Sequence, residues 1–374
     1  MLDLQAQLEL VGADIQAAVT DVIASGQYIL GPKVEALETA LAEYVGAKEA
    51  IAVSSGTDAL LVSLMALNVG PGDVVVTTPY SFFATAGVIA RVGATPAFVD
   101  IEPDSYNIDP VALREWFARK DDAQSRVKAI MPVHLYGQCA DMASILKVAI
   151  DANVPVIEDA AQAIGSSYPA EDGVKRAGSM GDFGCFSFYP TKNLSGIGEG
   201  GLVTTNDADL AARVRQLRNH GSRERYYHPV IGGNFRMAAV QAAALLVKLD
   251  HLDAWNAQRR DHAAYYDAHL PPASIGTPHL SYAREHHVYN QYVIRLADRR
   301  DACRDRLREQ GIASEIFYPV PFHLQECFAG LGYAQGDFPQ SELAAAQTLA
   351  IPIYPELTTA MQDYVIETLS AFYA

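Results

Sequence analysis

Short apolar runs alternate with helical patterns between about residues 50 and 205, and this rhythm constrains the fold more than any other feature of the chain. Runs such as VVVTTP, VKAIMPVHL and VPVIEDA are apolar almost throughout, which is typical of strands buried on both faces. Helical patterns start at Thr57, near Phe82, after Pro110 and after Asp141. Buried strands that alternate with helices predict an α/β fold with a mostly parallel sheet flanked by helices.

The rhythm changes after Asp159. The segments FGCFSFYP and GLVTTN follow one another without a full helix between them, so we expect adjacent strands to complete the sheet there. Because 374 residues exceed what one ordinary core accommodates, the length favours two domains. We predict a large domain over residues 1–250, with an N-terminal arm, and a smaller α+β domain over residues 251–374. The elements predicted beyond the first half of the sheet are helices over residues 207–218, 237–250, 251–269 and 300–310 and a strand near residues 287–296.

The overall charge limits the partners of the chain. A formal net charge of -16 argues against a general binder of nucleic acid or of anionic membranes, because such proteins rely on a basic surface. The N-terminus is acidic where a signal peptide is basic, and the longest apolar run, Ala238 to Val247, is too short to cross a bilayer. The four cysteines lack the CxxC spacing of a metal site. We therefore expect a cytoplasmic protein with no nucleic-acid partner, no membrane partner and no metal.

Two polar residues follow buried strands at positions where chemistry is expected. Asp159 ends the run VPVIEDA, and open α/β sheets bind their ligands at the carboxyl ends of strands. A carboxylate there is a structural cap, a metal ligand or a partner for a cationic ring nitrogen. Lys192 follows CFSFYP, where a lysine is usually a solvated loop residue, but Ser187 and Asp159 lie at neighbouring strand ends. If partly desolvated, its amine would have the lowered pKa that a Schiff-base nucleophile needs.

The glycines after Lys192 match a dinucleotide-binding pattern. Gly196, Gly198 and Gly201 fit GxGxxG, but that fingerprint requires a helix directly after it. Here the glycines lead into GLVTTN, which we predict to be a strand. We interpret the match as accidental and the glycines as a turn shaped for close approach.

Two further strand-helix junctions complete a candidate site. In VSSGTDAL, the free amides and the dipole at a helix start form an anion site suited to a phosphate, although a simple N-cap by Ser55 or Thr57 explains the same pattern. In TTPYSFFATAG, two aromatic residues open a helix, either as core residues or with one of them stacked on a planar ring. A phosphate cradle, a stacking aromatic, a carboxylate and an amine along one sheet edge are what pyridoxal phosphate (PLP) requires.

The chain resembles the DegT/DnrJ/EryC1/StrS family of sugar aminotransferases, which are fold-type I PLP enzymes that act on nucleotide-linked keto-sugars. The resemblance runs from GQYILGPKVEALE through SSGTDAL, PVHLYGQ, EDAAQAIG, SFYPTKNLSGIGEGG and GGNFRMAAVQAA to FYPVPFHLQ, and therefore covers nearly the whole chain. It implies a large PLP-binding domain followed by a small C-terminal domain. Glu199 departs from the aspartate that many members have after the glycine turn.

Residue roles follow from this resemblance. It implies that Lys192 holds PLP in a Schiff base and that Asp159 pairs with the pyridine nitrogen. The other implied cofactor contacts are Gln162 at the ring hydroxyl, Phe82 stacked on the ring, Gly56, Thr57, Asp58 and Ser187 at the phosphate, and Asn234 at the phosphate of the partner subunit's cofactor. The role implied for Asn234 predicts a homodimer with shared active sites.

The resemblance also implies the reaction, which is transfer of an amino group from an amino acid such as glutamate to a keto-sugar nucleotide. The motif YYHPVIGGNFRM favours a 3-keto sugar. Alternatives are amination at C4 of a 4-keto-6-deoxy sugar nucleotide and a non-catalytic PLP-binding regulator of the same fold; dehydration is disfavoured because the dehydrating members replace the lysine with histidine. The candidate substrate contacts are Arg218, Arg223, Tyr226 and His228 around the loop HGSRERYYHPV, which a solvated surface explains equally well, and Tyr318 and His323 in FYPVPFHLQ.

Overall fold

The computed structural model of the chain describes residues 3–119 and 122–374. Strands and helices alternate through the first half of the chain, as the apolar rhythm predicts. The helices of the described ranges are α1 (Leu4–Ser25), α2 (Pro32–Val45), α3 (Gly56–Ala66), α4 (Ala84–Arg91), α5 (Pro110–Ala118), α6 (Asp122–Ser125), α7 (Met142–Ala152), α8 (Ala208–Arg218), α9 (Ala239–Leu249), α10 (Leu252–His269), α11 (Arg300–Glu309), α12 (Pro339–Gln347) and α13 (Thr359–Tyr373). The strands are β1 (Glu49–Val53), β2 (Val74–Thr77), β3 (Thr95–Phe98), β4 (Val127–Ile130), β5 (Ile157–Asp159), β6 (Ser167–Ala170), β7 (Gly173–Arg176), β8 (Phe183–Ser187), β9 (Gly201–Thr205), β10 (Tyr292–Arg295) and β11 (Thr348–Ile351).

The central sheet consists of a three-stranded ladder, β3-β2-β4, and a four-stranded ladder, β5-β8-β9-β1. Two parallel bridges, Ile130 to Val156 and Val133 to Asp159, join the ladders between β4 and β5. The described strands of this sheet run parallel except β9, which is antiparallel to both β8 and β1. The mostly parallel sheet is thus confirmed, and so are the adjacent strands expected after Asp159.

Both faces of the sheet are buried. Along β1, Ala50 and Ala52 pack into the cluster that includes α2, α7 and α9, whereas Ile51 and Val53 pack into the cluster that includes α3, α4 and α8. Successive side chains of a strand point to opposite faces, so helices must cover both sides of a strand as apolar as this one. The apolar runs of the sequence therefore reflect a sheet enclosed between two helical layers.

Local signals set the starts and ends of the helices. Asp141 caps α7 by accepting a hydrogen bond of 3.3 Å from the Ser144 amide, and Asp109 caps α5 at 2.7 Å from the Val111 amide. The end of α2 is Gly46, whose φ of 78° is the left-handed conformation that glycine adopts without strain. These caps place the connecting loops, and hence the strand ends, in defined positions.

One edge of the sheet collects the strand ends that carry polar residues. In the β9 register, Gly201 lies opposite both Val53 at the end of β1 and Ser187 at the end of β8. Asp159 ends β5 opposite Cys185 of β8. The antiparallel direction of β9 brings its first residue, rather than its last, to this edge.

The C-terminal part of the chain has its own apolar cluster. β10 and β11 pair antiparallel, and their side chains pack with those of α10, α11 and α13. The helix α10 belongs to both parts, because Leu252 lies in a cluster of the sheet region and Tyr266 lies in the C-terminal cluster. A division of the chain at residue 250 stays a prediction.

Two elements differ from the sequence-based expectation. The strand expected near residues 287–296 is limited to Tyr292–Arg295, because the amides of Val288 and Asn290 bond to the carbonyls of Gly137 and Tyr136. The hairpin formed by β6 and β7 was not predicted, although Asp172-Gly173 between two short β-prone runs is a hairpin signal.

A search of the described residues for a helix long and apolar enough to cross a membrane finds none. The run from Ala238 to Val247, the longest apolar run of the sequence, forms most of α9 and packs against α1 and α2.

Candidate active site

A cavity of about 670 Å³ opens at the edge of the sheet where the polar strand ends meet. It lies between these strand ends and the segment that precedes β11. Its lining includes the predicted residues Gly56, Thr57, Phe82, Asp159, Gln162, Ser187, Lys192 and Tyr318. One cavity therefore brings together most of the residues that the sequence singles out.

Lys192 contributes the only basic side chain among the described residues that line this cavity. It follows β8 in a turn closed by the hydrogen bond of 2.9 Å from its amide to the Tyr189 carbonyl. No hydrogen bond or ion pair engages its Nζ within residues 3–119 and 122–374, so the amine is free to react. Burial lowers the pKa of Lys192 to about 8, and the nearby Asp159 carboxylate opposes part of this effect.

Asp159 is buried at the end of β5, with 4% of its surface exposed. Its Oδ2 accepts a hydrogen bond of 2.7 Å from Thr85 Oγ1, and its Oδ1 accepts one of 3.2 Å from the Ala161 amide. Burial raises the pKa of this carboxyl, while the Thr85 and Ala161 hydrogen bonds and the charge of Lys192 favour its ionised form. A carboxylate held in this way, in the lining of the cavity, suits a cationic ring nitrogen.

Gln162 is fixed at both ends of its side-chain amide. Its Oε1 accepts a hydrogen bond of 2.7 Å from the Tyr136 amide, and its Nε2 donates one of 3.0 Å to the Tyr318 hydroxyl. Tyr318 is itself held by Tyr80, whose hydroxyl accepts a hydrogen bond of 3.1 Å from the Tyr318 amide. The amide of Gln162 is thus held in one orientation at the wall of the cavity.

The start of α3 forms an anion cradle. Ser55 caps the helix, because its Oγ accepts a hydrogen bond of 3.0 Å from the Asp58 amide and its carbonyl accepts one from the Ala59 amide. The amides of Gly56 and Thr57 have no partner among the described residues, and both residues line the cavity. Two free amides at the positive end of a helix dipole favour a phosphate.

Glycine is required where the cradle meets the neighbouring strands. A Cβ on Gly56 would lie 2.6 Å from the Ser187 Cβ, and a Cβ on Gly201 would lie 2.3 Å from the Ser55 carbonyl oxygen. The first glycine lets the helix start approach the Ser187 hydroxyl, and the second lets β9 pass beneath it. Gly201 opens a strand and not a helix, which confirms that the GxGxxG match is accidental.

The other predicted cofactor contacts, Phe82 and Asp58, differ in whether their side chains line the cavity. Phe82 lines the cavity with 57% of its surface exposed, 6.2 Å between ring centroids from Tyr318, so its ring is available for stacking. The Asp58 side chain is outside the lining, because its Oδ2 accepts a hydrogen bond of 2.6 Å from Ser54 Oγ. Only its amide, through the Ser55 cap, supports the cradle.

Two candidate substrate contacts have internal partners in the structure. Arg218 ends α8, and its buried guanidinium bonds to Glu38 Oε1 at 2.5 Å and to the Ala52 carbonyl at 2.9 Å. His323 is 2% exposed and lies 3.0 Å from Glu342 Oε1. Neither side chain lines the cavity of its own chain, and both stay predicted contacts.

The basic and aromatic loop lies outside the cavity of its own chain. Arg223, Tyr226 and His228 are exposed, as is Asn234 where the chain returns towards the sheet. His228 Nδ1 lies 3.0 Å from the His220 carbonyl, and Tyr226 has a positive φ of 71°, so the loop has a defined shape. These residues stay predicted contacts, and none of them lines the cavity described above.

Two residues of the site were missed by sequence reasoning. Thr85 lies one helical turn after Ser81, whose Oγ is 3.0 Å from Thr85 Oγ1, so a polar i, i+4 pair in TTPYSFFATAG was the available signal. Tyr136, in PVHLYGQ, has a φ of 59° and uses its amide to orient Gln162. A left-handed tyrosine leaves no signal in the sequence beyond the glycine that follows it.

The residue before Asp159 points to the opposite face of β5 and anchors the strand. Glu158 accepts hydrogen bonds from the amides of Gly178, Met180 and Gly181 at 2.8, 2.7 and 2.6 Å, and its Oε2 lies 2.8 Å from His134 Nε2. His134 Nδ1 accepts from the Ala140 amide, so Nε2 carries the proton that is donated to Glu158. This buried network fixes the end of β5 and with it Asp159.

These residues fit PLP. The cradle at Gly56 and Thr57 is closed to any larger side chain and open to an anion, Phe82 offers an exposed ring, and Asp159 offers a buried carboxylate. Lys192 offers a free amine with a lowered pKa. No group of three or more histidine, cysteine, aspartate or glutamate side chains suited to a metal occurs in the described residues.

Comparisons with known proteins find relatives named as aminotransferases and relatives named for regulation or signalling. It is 46% identical, over 100% of its length and 98% of the relative, to the pleiotropic regulatory protein of Geobacillus stearothermophilus. It is 41% identical, over 99% of both chains, to the UDP-2-acetamido-2-deoxy-3-oxo-D-glucuronate aminotransferase of Pseudomonas aeruginosa.

Solved structures agree in fold and cofactor. DesV of S. venezuelae, crystallised in complex with a ketimine intermediate, superposes with a TM-score of 0.92 at 38% identity and covers 99% of this chain and 97% of its own. NtdA of Bacillus subtilis, crystallised with bound cofactor PMP, superposes with a TM-score of 0.87 at 32% identity over 96% of this chain and 81% of its own. Fold and site together define a fold-type I PLP-dependent aminotransferase. The chain belongs to the DegT/DnrJ/EryC1/StrS aminotransferase family, whose model matches residues 10–370.

Proposed function

We propose that this protein uses PLP to transfer an amino group from glutamate to the keto group of a 3-keto sugar nucleotide, in the cytoplasm. The observation that carries the proposal is the free amine of Lys192 in one cavity with the Asp159 carboxylate and the free amides of Gly56 and Thr57. The aminotransferase family supports the reaction type, and the 3-oxo sugar named for the Pseudomonas relative supports the position of amination.

Each residue at the cavity has a defined task in this proposal. Lys192, whose pKa is lowered to about 8, has a larger neutral fraction near neutral pH than an ordinary lysine, and this neutral amine binds the cofactor and afterwards moves a proton between carbon atoms. Asp159 holds a proton on the ring nitrogen, and Gln162 presents its oriented amide to the ring hydroxyl. When bound, PLP supplies the electron sink that amino transfer requires.

Other lining residues would hold the phosphate and the ring. Gly56, Thr57 and Ser187 would bind the phosphate through two amides and two hydroxyls, and Phe82 would stack on the ring. Tyr318, hydrogen-bonded to Gln162, would contact the substrate.

The charge of the cavity indicates that a second chain completes it. Its lining contains Glu199 and Glu315, and Glu315 is paired with Arg304, so Lys192 is the only described lining residue that offers a positive charge. Glutamate and a nucleotide diphosphate are both anionic and need cations for recognition. We infer that Arg223 and His228 from a partner chain supply them.

Exposed apolar residues support such a homodimer. Tyr226, Tyr227 and Ile231 expose 79%, 70% and 91% of their surface on the same loop as the basic residues. Tyr28 and Ile29, next to α2, expose 51% and 57%. Clusters of large exposed apolar side chains mark interaction surfaces, and a partner that buries the loop would also bring Asn234 towards a neighbouring cofactor.

A second candidate function follows from the name of the Geobacillus relative. A regulator of this fold would bind the cofactor and a sugar nucleotide without turnover. Lys192 and the free amides of α3 serve cofactor binding in either case, so the two functions differ only in whether an amino donor is consumed.

The experiment that separates them is an absorption spectrum of the purified protein with PLP, before and after addition of glutamate. The aminotransferase predicts a visible band that shifts to the aminated form of the cofactor with glutamate, and a Lys192→Ala variant in which this change is abolished. A wild-type protein that binds PLP but responds to no amino donor contradicts the aminotransferase and favours the regulator.

The position of amination is tested on the protein after it has been converted with glutamate. UDP- and dTDP-linked sugars that carry a keto group at C3 or at C4 are offered separately, and the products are analysed by mass spectrometry and NMR. Amination at C3 alone agrees with the proposal, whereas amination at C4 alone contradicts it.

A further inference from the structure

Asn193, which directly follows Lys192, is buried with 4% of its surface exposed and makes three side-chain hydrogen bonds. Its Nδ2 donates to Asn256 Oδ1 at 2.7 Å and to the Val288 carbonyl at 2.8 Å, and its Oδ1 accepts from Asn290 Nδ2 at 2.8 Å. All three partners lie beyond residue 250. The turn that carries the reactive lysine is thus tied to α10 and to the segment before β10.

The direction of each hydrogen bond is fixed by the chemistry of the partners. A backbone carbonyl can only accept, so the Nδ2 of Asn193 must face Val288 and its Oδ1 must face Asn290. Asn256 is fixed in the same way, because its Nδ2 donates to the Ile164 carbonyl at 3.3 Å. No alternative orientation of these amides satisfies the same partners.

Asn290 connects the lysine turn to the opposite wall of the cavity. Its backbone amide donates to the Tyr136 carbonyl at 2.9 Å, while its side chain donates to Asn193. The Tyr136 amide donates to Gln162 Oε1. A continuous chain of hydrogen bonds therefore runs from Gln162, through Tyr136 and Asn290, to the residue next to Lys192.

The packing around this chain leaves little room for adjustment. A Cβ on Gly137 would lie 2.9 to 3.1 Å from atoms of Val288, Tyr289 and Asn290, and a Cβ on Gly165 would lie 2.5 Å from Asn256 Nδ2. Glycines at both positions let the backbone approach the two asparagines closely. A segment packed in this way transmits a displacement rather than absorbing it.

We propose that the hydrogen bond between Asn193 and Asn290 positions the Lys192 amine relative to Gln162. The two asparagines are positioning residues, since neither lines the cavity. The proposal rests on the function proposed above for Lys192. It adds that the position of the lysine is set by residues from α10 and from the segment before β10, and not by the turn alone.

The test compares Asn193→Ala, Asn290→Ala and the double variant, each loaded with PLP. Loss of one hydrogen bond in the chain is expected to lower kcat about tenfold while the KM for glutamate changes less than about threefold, because the lysine is misplaced and substrate contacts are kept. The pH at which the visible band of bound PLP titrates should shift in both single variants. The double variant should resemble either single variant, since both remove the same link.

Gln362→Ala is the matched control. Gln362 is a buried amide of α13 that makes two hydrogen bonds to His262, and it has no contact with the turn of Lys192. Gln362→Ala should lower the midpoint of thermal unfolding as the asparagine variants do. The visible band of its bound PLP should titrate at the same pH as that of the wild type. If the asparagine variants also keep that titration, or if the double variant shows the product of the two single effects, the proposed positioning is wrong.

Failure of the proposed function has a different signature. A wild-type protein that binds no PLP, or whose band never responds to glutamate, overturns both the function and the positioning role. A wild-type protein that behaves as an aminotransferase, with an Asn193→Ala variant that matches the control in every readout, overturns the positioning role alone. Asn290→Ala decides the question if Asn193→Ala does not fold.

Discussion

Thr85 Oγ1 donates a hydrogen bond of 2.7 Å to Asp159 Oδ2, and this bond opposes the rise in pKa that burial imposes on the carboxyl. The charged form of Asp159 is the one that can pair with a cationic ring nitrogen. Thr85, which needs no contact with substrate, therefore sets the pH range over which the carboxylate is available.

Replacement of Thr85 by valine tests this relationship. A hydrogen bond to a charged group contributes about 1.5–3 kcal/mol and favours the ionised form, so its loss should raise the pKa of Asp159 further. Activity on the acidic side of the kcat/KM profile should be lost at correspondingly higher pH. Thr85→Ser keeps the hydroxyl and should retain the wild-type profile; an unshifted profile in Thr85→Val would contradict the assignment.

The lowered pKa of Lys192 predicts how PLP attachment depends on pH. Below about pH 8 the amine is protonated and unreactive, so the rate at which the apoprotein binds PLP covalently should rise as pH passes through about 8. The charge of Asp159 raises the pKa of Lys192, hence Asp159→Asn should move this midpoint to lower pH. Stopped-flow absorbance measures both, with Asp151→Asn, an exposed residue of α7, as the control expected to keep the wild-type midpoint.

Gly56→Ala should weaken PLP binding. The added Cβ would lie 2.6 Å from the Ser187 Cβ, so the start of α3 must move away from β8 and widen the cradle. Overpacking of this kind costs about 1–3 kcal/mol, which corresponds to about a tenfold to hundredfold loss of affinity in a PLP titration. At Gly70 a Cβ would meet no atom within 4 Å, so Gly70→Ala should bind PLP as the wild type does.

Glu158→Gln should destabilise the protein although the Glu158 side chain does not line the cavity. Each carboxylate oxygen of Glu158 accepts hydrogen bonds from two donors. In the glutamine variant an NH₂ group would replace one of these oxygens, so two donors would face another donor. Breaking a buried charged network costs about 3–5 kcal/mol, which urea unfolding would measure. The exposed Glu285→Gln is the matched control, and equal stability of the two variants would exclude an anchoring role for Glu158.

Substitutions in the basic loop and at Arg218 should have different effects on substrate binding and on stability. Arg223→Ala, in the exposed loop, should raise the KM for the sugar nucleotide about tenfold if the loop of one chain serves the site of another. Arg218→Lys should leave that KM unchanged and lower the free energy of unfolding, because its guanidinium joins Glu38 to the Ala52 carbonyl. A raised KM for the sugar nucleotide in the Arg218→Lys variant would indicate instead that Arg218 contacts the substrate.

The fold and the chemistry-bearing residues were predictable from the sequence because their signals are local. Apolar runs, the cap at Ser55 and the lysine after β8 each occupy a few consecutive residues, and together they predict which side chains meet at the sheet edge. The resemblance to a family extended this to Gln162, whose role has no local signal.

The network that supports the site was not predictable in the same way. Asn193 meets partners that are 63 and 97 positions away in the chain, and no spacing pattern indicates such a pairing. The internal partners of Arg218 and His323 were not predictable for the same reason, since Glu38 and Glu342 come close to them only in the folded chain. Side-chain type indicates what a residue can do, and tertiary packing decides which partner it serves.

The alternation of Glu158 and Asp159 along β5 also restricts how this chain can evolve. The strand has three residues, and its two acidic side chains face opposite sides of the sheet, one towards the His134 network and the other towards the cavity. An insertion or deletion of a single codon within β5 would exchange their environments, placing the anchor in the cavity and the reactive carboxylate among backbone amides. Length changes in the gene should therefore be tolerated in the loops on either side of this strand and eliminated by selection within it.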